Sequence, residues 1–304
     1  MSNQTAIAEK KSVALLSVFA AIALTGGKTT IGLLTGSLGI LAEALHSGLD
    51  LVAAGITYLS VRVSDKPADQ EHHFGHGKIE NLSALVETML LLATCAWIIY
   101  EAVSRLLTGR VHIEVTIWSY AVVIASIVID YSRSRALMRV ARKYNSQALE
   151  ADALHFSTDI WSSTVVLLGL VCAGFGVFTA DSIAALIVAV IVITVCYRLG
   201  KRAIDVLLDR APQGMAAIVQ SAAAQIPEIS SVGNVRIRTS GADVFIDIQI
   251  SVDGSLPLND AHAIADRLEA IVCTTIPRCF MQIHQEPAHI TFCDTRGTCL
   301  DQRQ

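Results

Sequence analysis

Charged residues are scarce in this chain of 304 residues: they make up 16% of it, against 53% for apolar residues. A soluble domain of this length would carry roughly a quarter charged residues. The mean hydropathy, +0.53, is positive, which is typical of chains with long segments that cross hydrocarbon. The composition therefore favours a membrane protein. The formal net charge of -4 gives no basic excess that would indicate binding to nucleic acid.

Paired cysteines are also lacking. None of the seven cysteines belongs to a CxxC pair, and several lie in apolar runs, where cysteine packs as a small hydrophobic residue. A disulfide framework is therefore not expected. The N-terminus lacks a clean signal-peptide cleavage site, since polar residues 1–12 lead into an apolar stretch too long for a signal-peptide core. We expect residues 1–12 to form a cytoplasmic N-terminal segment.

Apolar residues are concentrated in six segments, each with the roughly 20 residues that a helix needs to cross about 30 Å of hydrocarbon. The sequence thus predicts an α-helical membrane domain over residues 13–207 with six transmembrane helices. The predicted spans are residues 13–34, 38–62, 81–105, 115–137, 149–175 and 180–200.

Basic residues are distributed unevenly about these spans. If the spans alternate in direction, one side of the membrane carries only Arg105 and Arg110. Lysines and arginines near span ends are enriched on the cytoplasmic side, so both termini are predicted to lie in the cytoplasm. The residues on that side are Lys10, Lys11, Arg62, Lys66, Lys78, Arg133, Arg135, Arg139, Arg142, Lys143, Arg198, Lys201 and Arg202.

The pattern changes near residue 208 from continuous apolar runs to amphipathic segments of soluble type. Residues 208–290 are predicted to form a small α+β domain with the order αββαβ, followed by a polar tail over residues 291–304. The predicted elements are a helix over 213–225, strands over 232–239 and 243–252, a helix over 258–275 and a strand over 279–285.

A short repeat links the second and fifth spans. Residues 42–50 read AEALHSGLD and residues 151–159 read ADALHFSTD, so both fit A-[ED]-A-L-H-x-x-x-D. The two spans cross in opposite directions, as expected for an inverted repeat of three plus three helices. Such repeats place a binding site near the middle of the membrane, where the two halves meet.

The repeat supplies two imidazoles and two carboxylates. His46 and Asp50 are four residues apart, as are His155 and Asp159, so each pair projects from one face of its helix. A carboxylate in hydrocarbon costs several kcal/mol unless it is paired or binds a metal. We therefore predict a metal site made of these four side chains. The alternative is that each is an isolated polar residue satisfied by neighbouring helices.

The ligand set limits the choice of metal. Four side-chain ligands in a tetrahedron suit Zn²⁺, whereas imidazole disfavours Mg²⁺, Ca²⁺ and, less strongly, Mn²⁺. Cd²⁺, Co²⁺ and Fe²⁺ stay open. A closed shell of four ligands leaves no position for an activated water, which argues against a metallohydrolase, and we do not expect an enzyme. Glu43 and Asp152 precede the histidines by three residues and could orient them, although acids near span ends also cap helices or face water.

The run KTTIGLLTGSLGILAEALHSGLD, residues 28–50, resembles the signature of the cation diffusion facilitator family. The loop sequence HFGHGKIE, the second His-x-x-x-Asp pair, the six spans and the αββαβ domain extend the resemblance to nearly the whole chain. The matching signature residues are Lys28, Gly32, Ser37, His46, Ser47 and Asp50.

The resemblance implies a homodimeric metal/proton antiporter of the bacterial inner (plasma) membrane, which exports zinc or a related ion by alternating access. In that family His at position 46 favours zinc, whereas Asp or Asn there accompanies breadth toward iron or manganese. Imidazole and carboxylate bind a metal only when deprotonated, so protons and Zn²⁺ would compete for the same four groups.

The resemblance also implies two further metal sites. The first is in the loop after the second span, where histidines in an exposed loop could equally be incidental. The second is in the C-terminal domain, which would then act in dimerisation and as a zinc sensor, unless its polar residues simply belong to a dimer face. There, Gly233 and Gln249 replace two histidines found in relatives. The implied ligands are Asp69, His72 and His76 in the loop and His262, His284 and Glu286 in the domain.

Three other interpretations compete with a zinc exporter. An iron, manganese, cadmium or cobalt exporter of the same family stays open. A membrane-bound metal sensor without transport would not need carboxylates at mid-membrane on two spans. A membrane metalloprotease would need H-E-x-x-H or a similar base beside an open metal position, and the sequence contains neither.

Overall fold

The chain forms two compact units, Met1–Leu207 and Leu208–Gln304, in the computed structural model. The residues that the structure describes are 3–35, 38–108, 117–174, 179–288, 292–293 and 299–300.

In its described residues the first unit forms six long helices, which confirms the predicted helical membrane domain. Helices of 27 to 33 residues are roughly 40 to 50 Å long, so they extend beyond the predicted spans. The hydropathy pattern marks only the part that matches hydrocarbon, whereas backbone hydrogen bonding continues into polar flanking turns. The helices are α1 (Asn3–Thr35), α2 (Leu38–Ser64), α3 (Ile79–Thr108), α4 (Ile117–Tyr144), α5 (Gln147–Gly174) and α6 (Thr179–Leu207).

Average hydropathy identifies fewer membrane spans than there are long helices in the first unit. Among the described residues, two segments, Ala44–Ser64 and Ile79–Ser104, are long and apolar enough to cross a membrane by that criterion. Charged residues such as Lys28, Asp130 and Asp159 lie inside the apolar stretches of α1, α4 and α5. They lower the average, and each must find a partner inside the bundle.

The helices pack in pairs, α1 on α2, α4 on α5 and α3 on α6. Gly32 allows the close approach of the first pair, because a Cβ atom there would lie 2.8 Å from Leu41 Cδ2. Buried side chains of α1, α2, α4 and α5, such as Ala54, Leu137 and Phe156, form one apolar cluster. The α3–α6 pair has a separate cluster, made of Leu91, Cys95, Val188, Ala189, Val192 and Cys196.

A buried polar network closes one end of the bundle, where residues 65–78 join α2 to α3; we call this the loop end. Lys10 Nζ donates to Asp65 Oδ1 at 2.5 Å and to Glu80 Oε1 at 3.2 Å. The hydroxyls of Ser64 and Ser146 also donate to the Glu80 carboxylate, at 3.1 and 2.6 Å. Lys10 and Glu80 are 6% and 3% exposed, so the network ties α1, α2, α3 and the α4–α5 turn together away from water.

The second unit has the predicted αββαβ order. In its three-stranded sheet β2 lies in the middle, antiparallel to β1 and parallel to β3. One face of β2, with Ile246, Ile248 and Ile250, packs against Leu268 and Val272 of α8 in an aliphatic core. The elements are α7 (Met215–Ala223), β1 (Ser231–Ser240), β2 (Asp243–Val252), α8 (Leu258–Thr275) and β3 (Cys279–Pro287), and then the paired short strands β4 (Phe292–Cys293) and β5 (Cys299–Leu300).

Candidate metal centres

Helices α2 and α5 bring His46, Asp50, His155 and Asp159 together, and we call these four residues the central site. His155 Nε2 lies 3.2 Å from Asp50 Oδ1 and 3.5 Å from Asp159 Oδ2. His46 Nε2 lies 3.7 Å from Asp159 Oδ1 and 4.0 Å from Asp50 Oδ1. Each imidazole therefore faces both carboxylates, so the two helices contribute to one cluster.

The spacing of these atoms suits a tetrahedral ion. Ligands bound at roughly 2.0–2.2 Å lie roughly 3.3 Å from one another in a tetrahedron, and the distances between the imidazole nitrogens and the carboxylate oxygens run from 3.2 to 4.0 Å. Asp50, His155 and Asp159 are each less than a tenth exposed, whereas the His46 side chain is 33% exposed. The cluster is thus shielded on the α5 side and reachable at His46.

A small cavity borders the central site. Its volume is about 20 Å³, room for roughly one water molecule, and it lies between His46, Asp159 and the α3–α6 pair. Leu91, Cys95 and Val188 line it from that pair. A shift of the pair relative to α2 and α5 would therefore change access to the site.

Lys28 holds α1 against α2 and is not one of the candidate metal ligands. Its ammonium group donates to Ser47 Oγ at 2.8 Å, and Thr25 Oγ1 donates to the Ser47 carbonyl oxygen at the same distance. Both contacts join α1 to the turn of α2 that carries His46. They give a structural reason for Lys28 and Ser47 in the signature run.

Asp152 does not orient His155 as expected. Its Oδ2 atom accepts from Ser17 Oγ at 3.4 Å, and His155 Nδ1 is buried without a hydrogen-bond partner. Asp152 is fully buried, so it does not face water either. Arg133 donates to Ser17 Oγ at 3.1 Å and to Asp130 Oδ1 at 3.2 Å, and it is linked to Asp152 through the shared hydroxyl. The side chain of Glu43 lies outside the described residues.

The loop ligands also come together. Asp69 Oδ1 lies 3.3 Å from His72 Nδ1, and Asp69 Oδ2 lies 3.4 Å from His76 Nε2. The two imidazole centroids are 4.4 Å apart. His73 points elsewhere, since its Nε2 lies 3.1 Å from the Gln70 carbonyl oxygen. The three side chains that the resemblance implied therefore lie close together, and their role as metal ligands stays a prediction.

The backbone conformation of this loop favours the close approach of Asp69, His72 and His76. The backbone N–H of His72 donates to Asp69 Oδ1 at 2.7 Å and lowers the pKa of that carboxyl below its usual value. Gly75, with a φ of 72°, allows the chain to turn back between the two histidines. The carboxylate therefore stays ionised and available to a cation.

The C-terminal candidates are exposed and do not form such a cluster. His262 Nε2 lies 3.7 Å from Asp266 of its own helix, and His284 Nε2 lies 3.5 Å from Glu286 of its own strand. Within the described residues, the groups of three converging ligands are those of the loop and of His46, Asp50 and Asp159. A metal site made of His262, His284 and Glu286 stays a prediction, and it would require these side chains to come closer together.

The two replaced histidine positions lie next to His284. Gln249 pairs with His284 in the parallel β2–β3 register. A Cβ atom at Gly233 would lie 3.2 Å from the Gln249 side chain. Gly233, Gln249 and His284 thus form a row across the three strands, in which His284 is the one residue of a type that commonly binds metal.

Sequence reasoning missed Glu87 in α3. This side chain is 2% exposed and accepts hydrogen bonds from the hydroxyls of Thr57 and Ser83, the second at 3.1 Å. The signal was present, since Glu87 is an acid within the predicted third span. Glu87 belongs to neither copy of the repeat, so no spacing pattern distinguishes it from an acid that has no functional role.

Comparisons with known proteins cover both units. Residues 14–208 match the cation efflux transmembrane domain, and residues 212–288 match the cytoplasmic domain of cation efflux proteins. The chain is 32% identical to the cation-efflux pump FieF of Cronobacter sakazakii and 33% identical to that of Escherichia fergusonii. Each match covers 84% of this chain and 85% of the relative. A solved MamM-CTD structure is 28% identical over 25% of this chain and 96% of its own, but its TM-score of 0.24 supports no further conclusion.

Proposed function

The chain belongs to the cation efflux family, the cation diffusion facilitators, whose members are divalent cation transporters of multi-pass topology, and on that premise we propose that it exports Zn²⁺ in exchange for protons. The observation that carries this proposal is the convergence of two imidazoles and two carboxylates from α2 and α5. The central site would bind the ion during transport and then release it.

The ligand chemistry supports proton coupling. Each of the four groups binds a metal only in its deprotonated form. His155 and the two carboxylates are buried, so a proton that enters the site adds positive charge in place of the ion. A higher proton concentration on the far side of the membrane would therefore favour release of Zn²⁺ there.

The proposed preference for Zn²⁺ depends on the donor atoms of the central site. Two imidazole nitrogens and two carboxylate oxygens at near-tetrahedral spacing favour Zn²⁺ over Mn²⁺. Fe²⁺, Cd²⁺ and Co²⁺ accept the same donors, so an exporter of one of these ions is the alternative. The nitrogen of His46 is the donor that separates these cases, because its replacement by an oxygen ligand would suit harder ions.

The arrangement in the membrane follows from charge. We propose that the loop end is cytoplasmic, since most flanking lysines and arginines lie there. Asp69, His72 and His76 would then bind zinc on the cytoplasmic side. The domain over residues 208–290 would dimerise, and His262, His284 and Glu286 would hold a regulatory zinc ion across the dimer.

A metal panel in proteoliposomes with an imposed pH gradient tests the function. Wild-type protein is expected to move Zn²⁺ faster than Mn²⁺ or Fe²⁺ and to move protons in the opposite direction. Asp159→Ala and His46→Ala should each abolish zinc movement while dimerisation and folding, judged by gel filtration, are kept. His73→Ala is the matched control, because it removes an exposed histidine outside both clusters.

Two results would refute the proposal. Transport at the wild-type rate in Asp159→Ala would remove the central site from the mechanism. Zinc binding by the wild-type protein without movement across the bilayer under any gradient would identify a metal sensor instead of a transporter.

A further inference from the structure

The Glu87 carboxylate is buried among the helices of the first unit, the membrane unit, and one of its two oxygen atoms has no hydrogen-bond partner. Its partners are the hydroxyls of Thr57 on α2 and Ser83 on α3, and Oε2 has no hydrogen-bond partner. Within the described part of the chain, no lysine or arginine pairs with it. An ionised carboxylate in this position is costly unless a cation is near.

Asp152 on α5 repeats this feature. It is fully buried, its Oδ2 atom accepts from Ser17, and its Oδ1 atom has no hydrogen-bond partner. Arg133 is linked to it by a hydrogen bond to the shared Ser17 hydroxyl and lies within electrostatic range of it. Two helices thus each carry an acid with one open oxygen atom, and neither acid belongs to the central site.

His155 connects these acids to the central site. Its Nε2 atom faces Asp50 and Asp159, whereas its Nδ1 atom is buried and has no hydrogen-bond partner. The imidazole lies within electrostatic range of both Glu87 and Asp152. One ring therefore has one nitrogen in the central site and a second nitrogen directed away from it.

Both acids lie nearer the loop end than the central site does. Thr57, which contacts Glu87, follows Asp50 by seven residues on α2, a rise of roughly 10 Å along the helix. Asp152 precedes His155 by three residues on α5, a rise of roughly 4.5 Å toward the same end. An ion that moves between the loop end and the central site would pass them.

We propose that Glu87 and Asp152, together with His155 Nδ1, form a transit site for the divalent cation on its way from the loop end to the central site. The inference rests on the proposed function, since it adds a second binding position to the same path. It accounts for three buried polar atoms that the central site leaves without partners.

The chemistry of the transit site differs from that of the central site. Its donors are two carboxylate oxygens and one imidazole nitrogen, and they do not converge as tightly as the central ligands do. An ion there would keep part of its water shell and bind more weakly, and the nearby Arg133 would weaken binding further. Weak binding beside a tighter site favours transfer of the ion onward.

Transport kinetics in proteoliposomes test the transit site. Glu87→Gln keeps the shape and the hydrogen bonds to Thr57 and Ser83 but removes the charge. It is expected to raise the KM for Zn²⁺ at the loop end by about tenfold and to change the maximal rate by less than about threefold. Glu101→Gln, near the other end of α3, is the matched control and should leave both values unchanged.

A binding measurement separates this inference from the function itself. The full chain with Asp159→Asn, Asp69→Ala and His284→Ala, which removes a ligand from each of the other proposed metal sites, is expected to retain a weak Cd²⁺ site by equilibrium dialysis, and adding Glu87→Gln should remove that site. This result is independent of transport. If the wild-type protein moved no divalent ion at all, the proposed function would fail while the dialysis still decided the transit site.

Three outcomes would overturn the transit site. One is an unchanged KM in Glu87→Gln together with lost transport in Asp159→Ala, which would leave the function standing. A second is an altered pH dependence of transport at unchanged KM, which would make the two acids proton carriers instead. The third is equal Cd²⁺ binding with and without Glu87→Gln.

Discussion

The two units of this protein place their candidate ligands in opposite ways. In the membrane unit, His155 and Asp159 are buried and meet Asp50 from another helix. In the C-terminal unit, the side chains of His262 and His284 are 73% and 71% exposed, and each lies near an acid of its own element. Water satisfies an exposed histidine at no cost, whereas a polar group at membrane depth needs a protein or ion partner.

This difference makes the same residue types unequal as functional signals. An aspartate in an apolar span indicates a role by its presence alone. A histidine on an exposed strand does not, because its alternatives are all inexpensive. The prediction of the central site could therefore rest on composition and spacing, while the prediction for the C-terminal site depended on a resemblance.

The largest expected effect comes from removing charge in the buried cluster. Asp50→Asn leaves the shape of the side chain but removes the anion that faces both His155 and His46. We expect zinc transport to fall by about 1000-fold, equivalent to roughly 4 kcal/mol, as measured in proteoliposomes under a pH gradient.

The equivalent change in the C-terminal unit is the control for this prediction. Glu286→Gln removes the anion beside His284, and we expect transport to stay within about threefold of wild type. A loss as large as that of Asp50→Asn would mean that exposure does not separate the two classes of ligand.

The second prediction tests whether the membrane unit depends on partners for all its buried charges. Lys10→Met would leave Asp65 and Glu80 without their shared cation at the loop end. Removing one member of a buried ion pair costs roughly 3–5 kcal/mol, which should appear as a lower midpoint of chemical unfolding in detergent micelles.

The adjacent Lys11→Met serves as the comparison for Lys10→Met. Lys11 is partly exposed, whereas Lys10 is buried, so we expect less than about 1 kcal/mol from the loss of a partly solvated charge. Equal losses in the two variants would show that the network contributes nothing specific.

The third prediction concerns packing rather than charge. Gly32→Ala would place a methyl group 2.8 Å from Leu41 Cδ2 and 3.2 Å from the Leu41 backbone nitrogen. Helices α1 and α2 would have to separate next to the central site, at a cost of about 1–3 kcal/mol in unfolding free energy. In Gly27→Ala the new methyl group meets nothing within 4 Å, so stability should not fall.

The order of elements was predictable because periodicity and hydropathy are local properties. The six helices and the αββαβ order follow from them, and β3 extends to Pro287 only because its pairing with β2 continues to Val252. The convergence of His46 with Asp159 was predictable from a repeat. The surroundings of Glu87 and the link from Arg133 to Asp152 were not, because they depend on which helix faces which, and no spacing within one segment contains that information.

The smallest expected effect comes from adding a metal ligand to the sheet of the C-terminal unit, which would make the two units more alike. Gln249 lies beside His284 in the β2–β3 register, and Glu286 is two residues further along β3. Gln249→His would therefore give three donors on one exposed face, and we expect about tenfold tighter zinc binding by this unit, equivalent to roughly 1.4 kcal/mol. The measurement is zinc titration calorimetry on the full chain with Asp159→Asn, Asp69→Ala and Glu87→Gln, which removes the other proposed metal sites. Gln220→His, on the exposed part of α7, controls for an added imidazole without neighbouring ligands, and equal affinity in the two variants would show that register does not decide where this domain binds metal.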